Sequence, residues 1–373
     1  MATGALATFG SWLAAGWGQG QYQPNVYNVP VSGYFNSELP NVTLFATGGT
    51  ISGTSPNLLD TSTYEIGSLS FQTLIDGVPG LENIANVRGV QVDKVGSHDI
   101  EAKILIDMAQ RIQHELDNPL TQGVVVTHGT DTLEETAFFL DLVIQSEKPV
   151  VMVGAMRPAS AIGADGPRNL LLGVALAAST QARNRGVMIA LNDRIGSARF
   201  TTKTNANRVD AFRAAEQGFL GVFADPARPL FFYPPSRPLG HRHFDVSRKP
   251  PAAGLPKVDI LYGHQGLEPG LFEDAVARGA RGVVLAGVGS GWWPTAAMAE
   301  VRRVARERGV TVLMSRRPLD GYVSATGENI EAAGGGCGFL DPARCRIQLQ
   351  LCLEMGISRE DMAAVFFTWA HDV

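Results

Sequence analysis

The sequence predicts an α/β protein with two α/β domains: a larger N-terminal domain with a doubly wound sheet and a smaller C-terminal domain of the flavodoxin/Rossmann-like type. Short β-branched runs alternate with stretches of helical periodicity, and a second, shorter alternation follows a proline-rich stretch. Such alternation indicates parallel strands with helices on both faces of the sheet. At 373 residues the chain is also longer than one hydrophobic core usually covers. We therefore expect two domains.

The N-terminal domain is expected to span residues 39–225. Two of its predicted strands, Val42–Ala46 and Gly123–Val126, are short and rich in β-branched residues, which favours buried parallel strands. Further strands are predicted at 149–153 and 186–191, with helices at 101–116, 133–144 and 169–182.

A cluster of prolines predicts a linker over residues 226–256. The C-terminal α/β domain is then expected to span 257–373. Its strands are predicted at 258–262, 282–286 and 310–314, and its helices at 270–278 and 295–307, followed by two terminal helices.

The composition argues against several classes of function. The formal net charge of −5 is mild, and no stripe of Lys and Arg is available to neutralise phosphates. We therefore expect neither nucleic acid nor an anionic membrane as the main partner. No apolar run is long enough to span a bilayer. A hydrophobic content of 45% with 18% charged residues is typical of a globular enzyme.

Neither residues 1–38 nor the three cysteines decide the compartment of the protein. The first 38 residues contain no Lys, Arg or His, whereas a secretory signal normally begins with positive charge. Residues 1–38 are therefore compatible with either a cleaved leader or a disordered extension. Cys345 and Cys352 lie on one face of a predicted helix, too far apart to bond to each other. We expect buried free thiols at these positions and at Cys337.

Two threonine- and glycine-rich segments follow two of the predicted strands. They are Thr47–Ile51 and Thr127–Thr132. Loops at the carboxyl ends of parallel strands line the ligand crevice of an open α/β sheet, so the hydroxyl groups of the two segments are expected to share one pocket. Taken singly, the spacing of Thr50 and Thr130 favours turn residues or helix N-caps.

A threonine hydroxyl needs an activating neighbour before it can attack an acyl carbon. The polar candidates close to the two loops are Tyr64, Asp131 and Lys203. A lysine held by Asp131 and touching Thr130 could relay a proton, whereas Lys203 considered alone is more typical of a solvated surface lysine. Glycines in both segments permit the close backbone approach that an oxyanion site requires. The first segment lacks the spacing of nucleotide-binding loops.

The segments Leu44–Ser52 and Val124–Leu133 resemble the two signature segments of the bacterial-type L-asparaginase/glutaminase family, with a type II-like L-asparaginase as the nearest kind. The similarity extends from about Leu39 to the C-terminus and includes Gly96–Asp99 and Thr202–Asn205. The resemblance implies hydrolysis of asparagine to aspartate and ammonia, with glutamine as a lesser substrate and without a cofactor or metal.

The resemblance also implies roles for individual residues. Thr50 matches the primary nucleophile and Tyr64 its activating neighbour. Thr130, Asp131 and Lys203 match the second catalytic group.

A substrate-binding set is implied in the same way. Ser97 matches the residue that binds the substrate α-carboxylate, and Asp131 the one that binds its α-ammonium, while Gly49 and His98 lie beside them. Glu328 is our candidate for the acidic residue that a neighbouring subunit contributes, because the resemblance implies a homotetramer whose interfaces complete the sites. Holding both ends of a small zwitterion fixes its amide against the nucleophile.

Two departures from the family pattern leave the choice between asparagine and glutamine open. His98 stands where many members carry glutamine, and Ser290-Gly291-Trp292 replaces an asparagine-containing segment. Protonation of His98 beside the substrate ammonium would weaken binding, whereas a neutral histidine would only supply a hydrogen bond. His128 is expected to be a structural hydrogen-bonding residue rather than a general base.

Two alternatives to the asparaginase hypothesis remain. One is a glutamine-preferring amidohydrolase, and the other is a non-catalytic amino-acid-binding relative. Retention of both hydroxyls together with the lysine argues against the second alternative, since binding alone would not need them. The resemblance to type II members, which are typically exported, implies a secreted or periplasmic location. A cytoplasmic location is the alternative.

Overall fold

The computed structural model describes residues 36–225, 228–238, 241–324 and 334–366. The chain divides into two compact units. The first runs to Arg237 and includes Val246–Pro251, and the second comprises Pro238–Asp245 and the chain from Ala252 onwards. Each unit combines a β-sheet with α-helices, so the predicted fold class, a larger and a smaller α/β unit, is confirmed.

The first unit is built on an eight-stranded sheet with the strand order β10-β9-β6-β5-β4-β3-β1-β2. Strands β1 to β5 pair in parallel. At the other edge, β5 pairs with β6, β6 with β9 and β9 with β10, all antiparallel. The strands are β1 Asn41–Gly48, β2 Asn86–Val95, β3 Thr121–Thr127, β4 Val150–Val153, β5 Val187–Leu191, β6 Arg194–Ser197, β7 Thr202–Lys203, β8 Phe212–Arg213, β9 Gly221–Asp225 and β10 Arg228–Phe231. Strands β7 and β8 form a separate two-stranded ladder.

Helices cover both faces of this sheet. They are α1 Phe71–Asp76, α2 Ala102–Asp117, α3 Leu133–Val143 and α4 Gly166–Ala178. Val42, Leu44 and Ala46 of β1 belong to the core cluster that contains residues of α1 and α4. Side chains alternate along a strand. Thr43 accordingly points to the opposite face, where it bonds to Glu115 of α2.

The antiparallel edge of the sheet was not predicted. Strand β6 follows β5 through a two-residue turn at Asn192 and Asp193, both with positive φ (51° and 61°), and such turns return the chain as a hairpin. Strand β10, Arg228–Phe231, lies within the stretch expected to be a linker, and its proline is compatible with an edge strand. Strand β2 was also missed.

A buried ion pair joins three strands and a helix at the amino-terminal half of the sheet. The guanidinium of Arg88 on β2 donates to the carboxylate of Glu115 on α2. Thr43 and Thr121 donate to the same carboxylate at 2.8 and 2.5 Å, and Arg88 Nε donates to Thr43 Oγ1 at 3.1 Å. Burial lowers the pKa of Arg88 to about 10. The pair fixes α2 against the strands from which the site loops emerge.

The second unit contains a parallel three-stranded sheet with the order β11-β12-β13. Its elements are β11 Val258–Tyr262, α5 Leu271–Ala277, β12 Gly282–Gly287, α6 Thr295–Arg308, β13 Thr311–Arg316, α7 Pro342–Glu354 and α8 Arg359–Phe366. Residues of α5 and α6 share one core cluster with the strands. Asp341 caps α7 by accepting a bond from the amide of Arg344 at 2.9 Å.

The expectation of three free thiols is wrong for two of them. Cys337 and Cys345 form a disulfide with a Cα–Cα distance of 5.9 Å. The segment before α7 pairs with β13 through Gly336, which brings Cys337 beside the first turns of α7. Cys352 is a buried free thiol as expected, and burial raises its pKa to about 12. No helix within the described ranges has the length and apolar character needed to cross a membrane.

Candidate active site

Three loops meet at the carboxyl ends of β1, β2 and β3. Gly49, with φ 80°, lies so close to Gly129 that a Cβ on Gly49 would approach the Gly129 nitrogen and Cα to 2.3 Å. A Cβ on Gly129 would in turn lie 2.9 Å from the Ser97 Cβ and Oγ atoms. Glycine is therefore required where the backbones touch. The loop carrying Thr50 and the loop carrying Thr130 are thus in direct contact, as expected of a shared pocket.

Thr50 begins a short 3-10 turn immediately after Gly49. Its Oγ1 atom lies 2.7 Å from the hydroxyl of Tyr64. Tyr64 comes from a small hairpin closed by backbone bonds between Thr54 and Glu65. The predicted pairing of Thr50 with Tyr64 is therefore present in the structure.

The hairpin that carries Tyr64 is held against the loop after β4. Ala159 N donates to Gly53 O at 2.8 Å, and Ile162 N donates to Leu58 O at 3.0 Å. The amide of Ser55 donates to the Ser160 hydroxyl at 2.8 Å. These bonds fix the position of the hairpin that carries Tyr64.

A second polar group surrounds Thr130, which is buried. Lys203 Nζ donates to Thr130 Oγ1 at 3.0 Å and to Asp131 Oδ1 at 2.7 Å. The Lys203 side chain is 15% exposed and that of Asp131 is 64% exposed. Lys203 is therefore not a solvated surface lysine, and the Asp131 carboxylate faces outward with capacity for a further donor.

Ser97 lies in a short 3-10 turn that follows β2 and is nearly fully buried. Its carbonyl oxygen accepts a bond from Thr132 Oγ1 at 2.7 Å, and its hydroxyl accepts one from Thr132 N at 3.3 Å. His98, next in the same turn, is 57% exposed and lies 3.5 Å from Asp99 Oδ2. The structure thus brings Ser97 and His98 to the same edge of the sheet as Thr130.

Comparison with known proteins identifies the group to which this architecture belongs. Residues 41–235 match the family model described as asparaginase, N-terminal, and residues 257–366 match that of the glutaminase/asparaginase C-terminal domain. The chain belongs to the asparaginase family.

Relatives in the asparaginase family cover most of the chain. It is 46% identical to Probable L-asparaginase 3 of Schizosaccharomyces pombe, over 89% of this chain and 90% of the relative. It is equally identical to L-asparaginase 2-3 of Saccharomyces cerevisiae, over 89% and 91%. The crystal structure of a probable cytoplasmic L-asparaginase from Campylobacter jejuni matches with a TM-score of 0.82 at 35% identity, covering 88% of this chain and 99% of that one.

His128, in the second signature segment of this asparaginase-family chain, makes structural hydrogen bonds, as expected. The fully buried ring contacts Gly129 O through Nδ1 at 2.7 Å and Thr136 Oγ1 through Nε2 at 2.8 Å. Burial lowers its pKa to about 4. The ring is therefore neutral and has no free nitrogen to offer a substrate.

Two residues at the start of α3, Thr132 and Glu134, contact site residues and were not singled out from the sequence. Thr132 bonds to Ser97, and Glu134 accepts a bond from the backbone amide of Lys203. A threonine and a glutamate in the first turn of a helix normally indicate capping, which conceals such contacts in the sequence. Glu328 lies outside the described residues. Trp292 is 59% exposed on the second unit.

Proposed function

We propose that this asparaginase-family protein hydrolyses L-asparagine to L-aspartate and ammonia, with L-glutamine as a lesser substrate. The observation that carries the proposal is the pair of hydroxyl groups on touching loops, each with its own activating partner. Thr50 lies against Tyr64, and Thr130 lies against Lys203. The names of the similar proteins support the same reaction.

In the first half of the proposed reaction, Thr50 Oγ1 attacks the side-chain amide carbon of asparagine. The proton of Thr50 passes through the Tyr64 hydroxyl to the departing nitrogen, the C–N bond breaks, and ammonia leaves. The product is an aspartyl ester on Thr50. The 2.7 Å contact between the two hydroxyls is the geometry that such a proton transfer needs.

In the second half, a water molecule attacks the ester carbon. The Thr130–Lys203–Asp131 group is our candidate for accepting the proton of that water and relaying it to Thr50 Oγ1 as the C–O bond to Thr50 breaks, which regenerates the Thr50 hydroxyl and releases aspartate. Asp131 keeps Lys203 oriented at 2.7 Å. Its exposed carboxylate also remains available to the substrate ammonium.

Substrate selection is proposed to depend on both ends of the amino acid. Ser97 binds the α-carboxylate and Asp131 the α-ammonium, with Gly49 and His98 beside them. This leaves the side-chain amide as the part that reaches Thr50, and its length distinguishes asparagine from glutamine. Glu328 remains our candidate for a residue supplied by a neighbouring subunit of a homotetramer, and the exposed Trp292 is compatible with such an interface.

The domain limits 39–225, 226–256 and 257–373, and the separate status of residues 1–38, stay predictions. For the compartment we retain export as the proposal, because a disulfide such as Cys337–Cys345 is favoured in an oxidising environment. The relative from C. jejuni is described as cytoplasmic, which supports the alternative. Fractionation of the source cells distinguishes the two.

An ammonia-release assay tests the proposed reaction. The protein is incubated with L-asparagine, L-glutamine and D-asparagine, alongside the variants Thr50→Ala and Thr130→Val. We expect the fastest release from L-asparagine and a loss of at least about 10³-fold in kcat for each variant. Faster release from glutamine would favour the glutamine-preferring alternative. A wild-type protein that binds asparagine but releases no ammonia from any amide would be a non-catalytic relative.

A further inference from the structure

We propose that the start of α3, from its N-cap Thr132 to Glu134, positions both halves of the site: Thr132 holds the substrate-binding turn and Glu134 holds the backbone of Lys203. The inference rests on the proposed function, because it assigns the two contacts to different steps of that reaction. Thr132 and Glu134 are positioning residues, since each acts through a neighbour. The loop that precedes α3 carries Thr130 and Asp131 themselves.

The Thr132 hydroxyl does not make the capping hydrogen bond that is usual at its position in the helix. Thr132 is the N-cap of α3, where a threonine side chain normally accepts a bond from a backbone amide of the first turn. Its side chain makes no capping bond here. Instead, Thr132 Oγ1 donates to the carbonyl oxygen of Ser97 at 2.7 Å.

The position of the Ser97 turn leaves little room for adjustment. Besides the hydroxyl bond, the amide of Thr132 donates to Ser97 Oγ at 3.3 Å. The turn also abuts Gly129, where an added Cβ would lie 2.9 Å from the Cβ and Oγ atoms of Ser97. Thr132 therefore sets where Ser97 lies relative to the loop of Thr130.

Glu134 is the second residue of α3, and its carboxylate accepts the backbone amide proton of Lys203. Lys203 belongs to β7, whose ladder with β8 contains only two residue pairs. A ladder this short gives the strand few bonds of its own. The contact with Glu134 ties the Lys203 backbone to the same helix turn that follows Thr130 and Asp131.

The other arm of the β7–β8 hairpin has a separate anchor. The carboxylate of Asp210 accepts bonds from Arg194 on β6 and Arg213 on β8, and also from Asn192 Nδ2 at 3.1 Å. This network holds β8 to the sheet, and none of the hydrogen bonds to Asp210 comes from Lys203. Removing Glu134 should therefore loosen Lys203 without releasing the whole hairpin.

These contacts predict that the two positioning residues affect different kinetic constants. Ser97 serves substrate binding, so loss of the Thr132 hydroxyl should raise KM and leave kcat nearly unchanged. Lys203 serves proton transfer, so loss of the Glu134 acceptor should lower kcat and leave KM nearly unchanged. A purely structural role would instead reduce the amount of folded enzyme and change neither constant per folded molecule.

The kinetic experiment uses four variants of similar size to the native side chains. Thr132→Val removes the hydroxyl, and Thr132→Ser restores it. Glu134→Met removes the acceptor, and Glu134→Gln retains an acceptor oxygen. We expect KM for asparagine to rise about fivefold in Thr132→Val and kcat to fall about tenfold in Glu134→Met, with each restoring variant within about threefold of wild type. Glu147→Gln, which alters a carboxylate that is 69% exposed, is the matched control.

Hydrogen exchange of the Lys203 amide supplies a readout that does not depend on turnover. Exchange should be slow in wild type and Glu134→Gln and about tenfold faster in Glu134→Met, with Thr132→Val like wild type. Calorimetric binding of aspartate should weaken about fivefold in Thr132→Val only. Wild-type inactivity with these differences intact would refute the proposed function and support the positioning roles.

Other outcomes would overturn the inference. Unchanged Lys203 exchange in Glu134→Met would show that Glu134 does not hold that backbone. Equal losses of kcat in Thr132→Val and Glu134→Met, with KM unchanged in both, would show that the helix turn does not separate binding from chemistry. Either result alongside an active wild-type enzyme would leave the proposed function standing.

Discussion

Two ion pairs flank the same central strand, β3, and are assembled from the same kinds of side chain. At its amino-terminal half, Arg88 and Glu115 pair with two threonine hydroxyls, and both charged side chains are almost fully buried, at 1% and 2% exposure. After its carboxyl end, Lys203 pairs with Asp131 beside Thr130, but the Asp131 side chain is 64% exposed.

The difference in exposure separates a structural pair from one that is available to a ligand. Around Glu115 the carboxylate oxygens are already bonded within the protein, and burial lowers the pKa of Arg88 to about 10, which reflects the cost of holding its charge away from water. The carboxylate of Asp131 retains lone pairs directed to solvent. A charged pair at the carboxyl edge of the sheet can therefore receive an ammonium group, whereas the pair at the amino half cannot.

The largest effect on stability is expected from Glu115→Gln. This variant leaves the guanidinium of Arg88 buried without its counter-charge, so the free energy of unfolding should fall by about 3–5 kcal/mol. Urea denaturation of the purified variant measures the loss. The paired variant Arg88→Met with Glu115→Leu should recover most of it, because no buried charge remains. A loss below about 1 kcal/mol in the single variant would contradict a structural role for the pair.

Lys203→Met should show the opposite behaviour. Its kcat for asparagine should fall about 10²–10³-fold, as expected for loss of a proton-transfer group. The free energy of unfolding should change by about 1 kcal/mol or less, because a pair with an exposed carboxylate contributes little. Ammonia release and urea denaturation on one preparation give both values. If the variant unfolded as readily as Glu115→Gln, the contrast between the two pairs would fail.

The part of this contrast at the carboxyl edge could be predicted from the sequence. Short apolar runs followed by threonine and glycine placed two polar loops at strand ends, and the structure brings those loops into contact at Gly49 and Gly129. Strand-end loops of a parallel sheet converge whatever the intervening sequence is. The contacts of Lys203 with Thr130 and Asp131 were expected from the need of a threonine hydroxyl for an activating neighbour and from the family resemblance, since Lys203 itself lies in the separate β7–β8 ladder.

The buried pair could not be predicted. Arg88 lies in β2, whose polar residues interrupt the apolar pattern by which a buried strand is recognised. Glu115 lies near the end of a helix, where a glutamate normally faces solvent. Their contact depends on β2 pairing with β1, which brings together residues far apart in sequence. The antiparallel edge was missed for a related reason: a tight turn at Asn192 and Asp193 returns the chain as a hairpin where no further strand was predicted. The Cys337–Cys345 disulfide likewise depends on a return of the chain along β13.

His128 tests whether burial or position decides the role of a titratable group. It stands in the loop that carries Thr130, yet its ring is fully buried and bonded at both nitrogens. If burial determines the role of the His128 side chain, its replacement should affect the free energy of unfolding, as expected for Arg88 and Glu115. If its location in the Thr130 loop determines that role, His128 should take part in the reaction. Its replacement should then change how kcat depends on pH.

We expect His128 to make stability depend on pH between about 4 and 6.5. Burial lowers its pKa to about 4 in the folded protein, whereas an unfolded chain binds the proton near 6.5. The unfolded state therefore takes up a proton first as the pH falls, so this contribution to stability is complete above pH 6.5 and decreases by up to about 3 kcal/mol towards pH 4.

Urea denaturation of wild type and His128→Gln between pH 8 and pH 4 isolates this contribution, since the other groups titrate in both proteins. At pH 8 the variant should be less stable by about 1–2 kcal/mol, because it disturbs two buried hydrogen bonds. The difference should shrink and then change sign as the pH falls, since only wild type carries the cost of the neutral imidazole. Parallel stability curves, with an acid limb of kcat lost in the variant, would instead place His128 in the chemistry and make position the deciding factor.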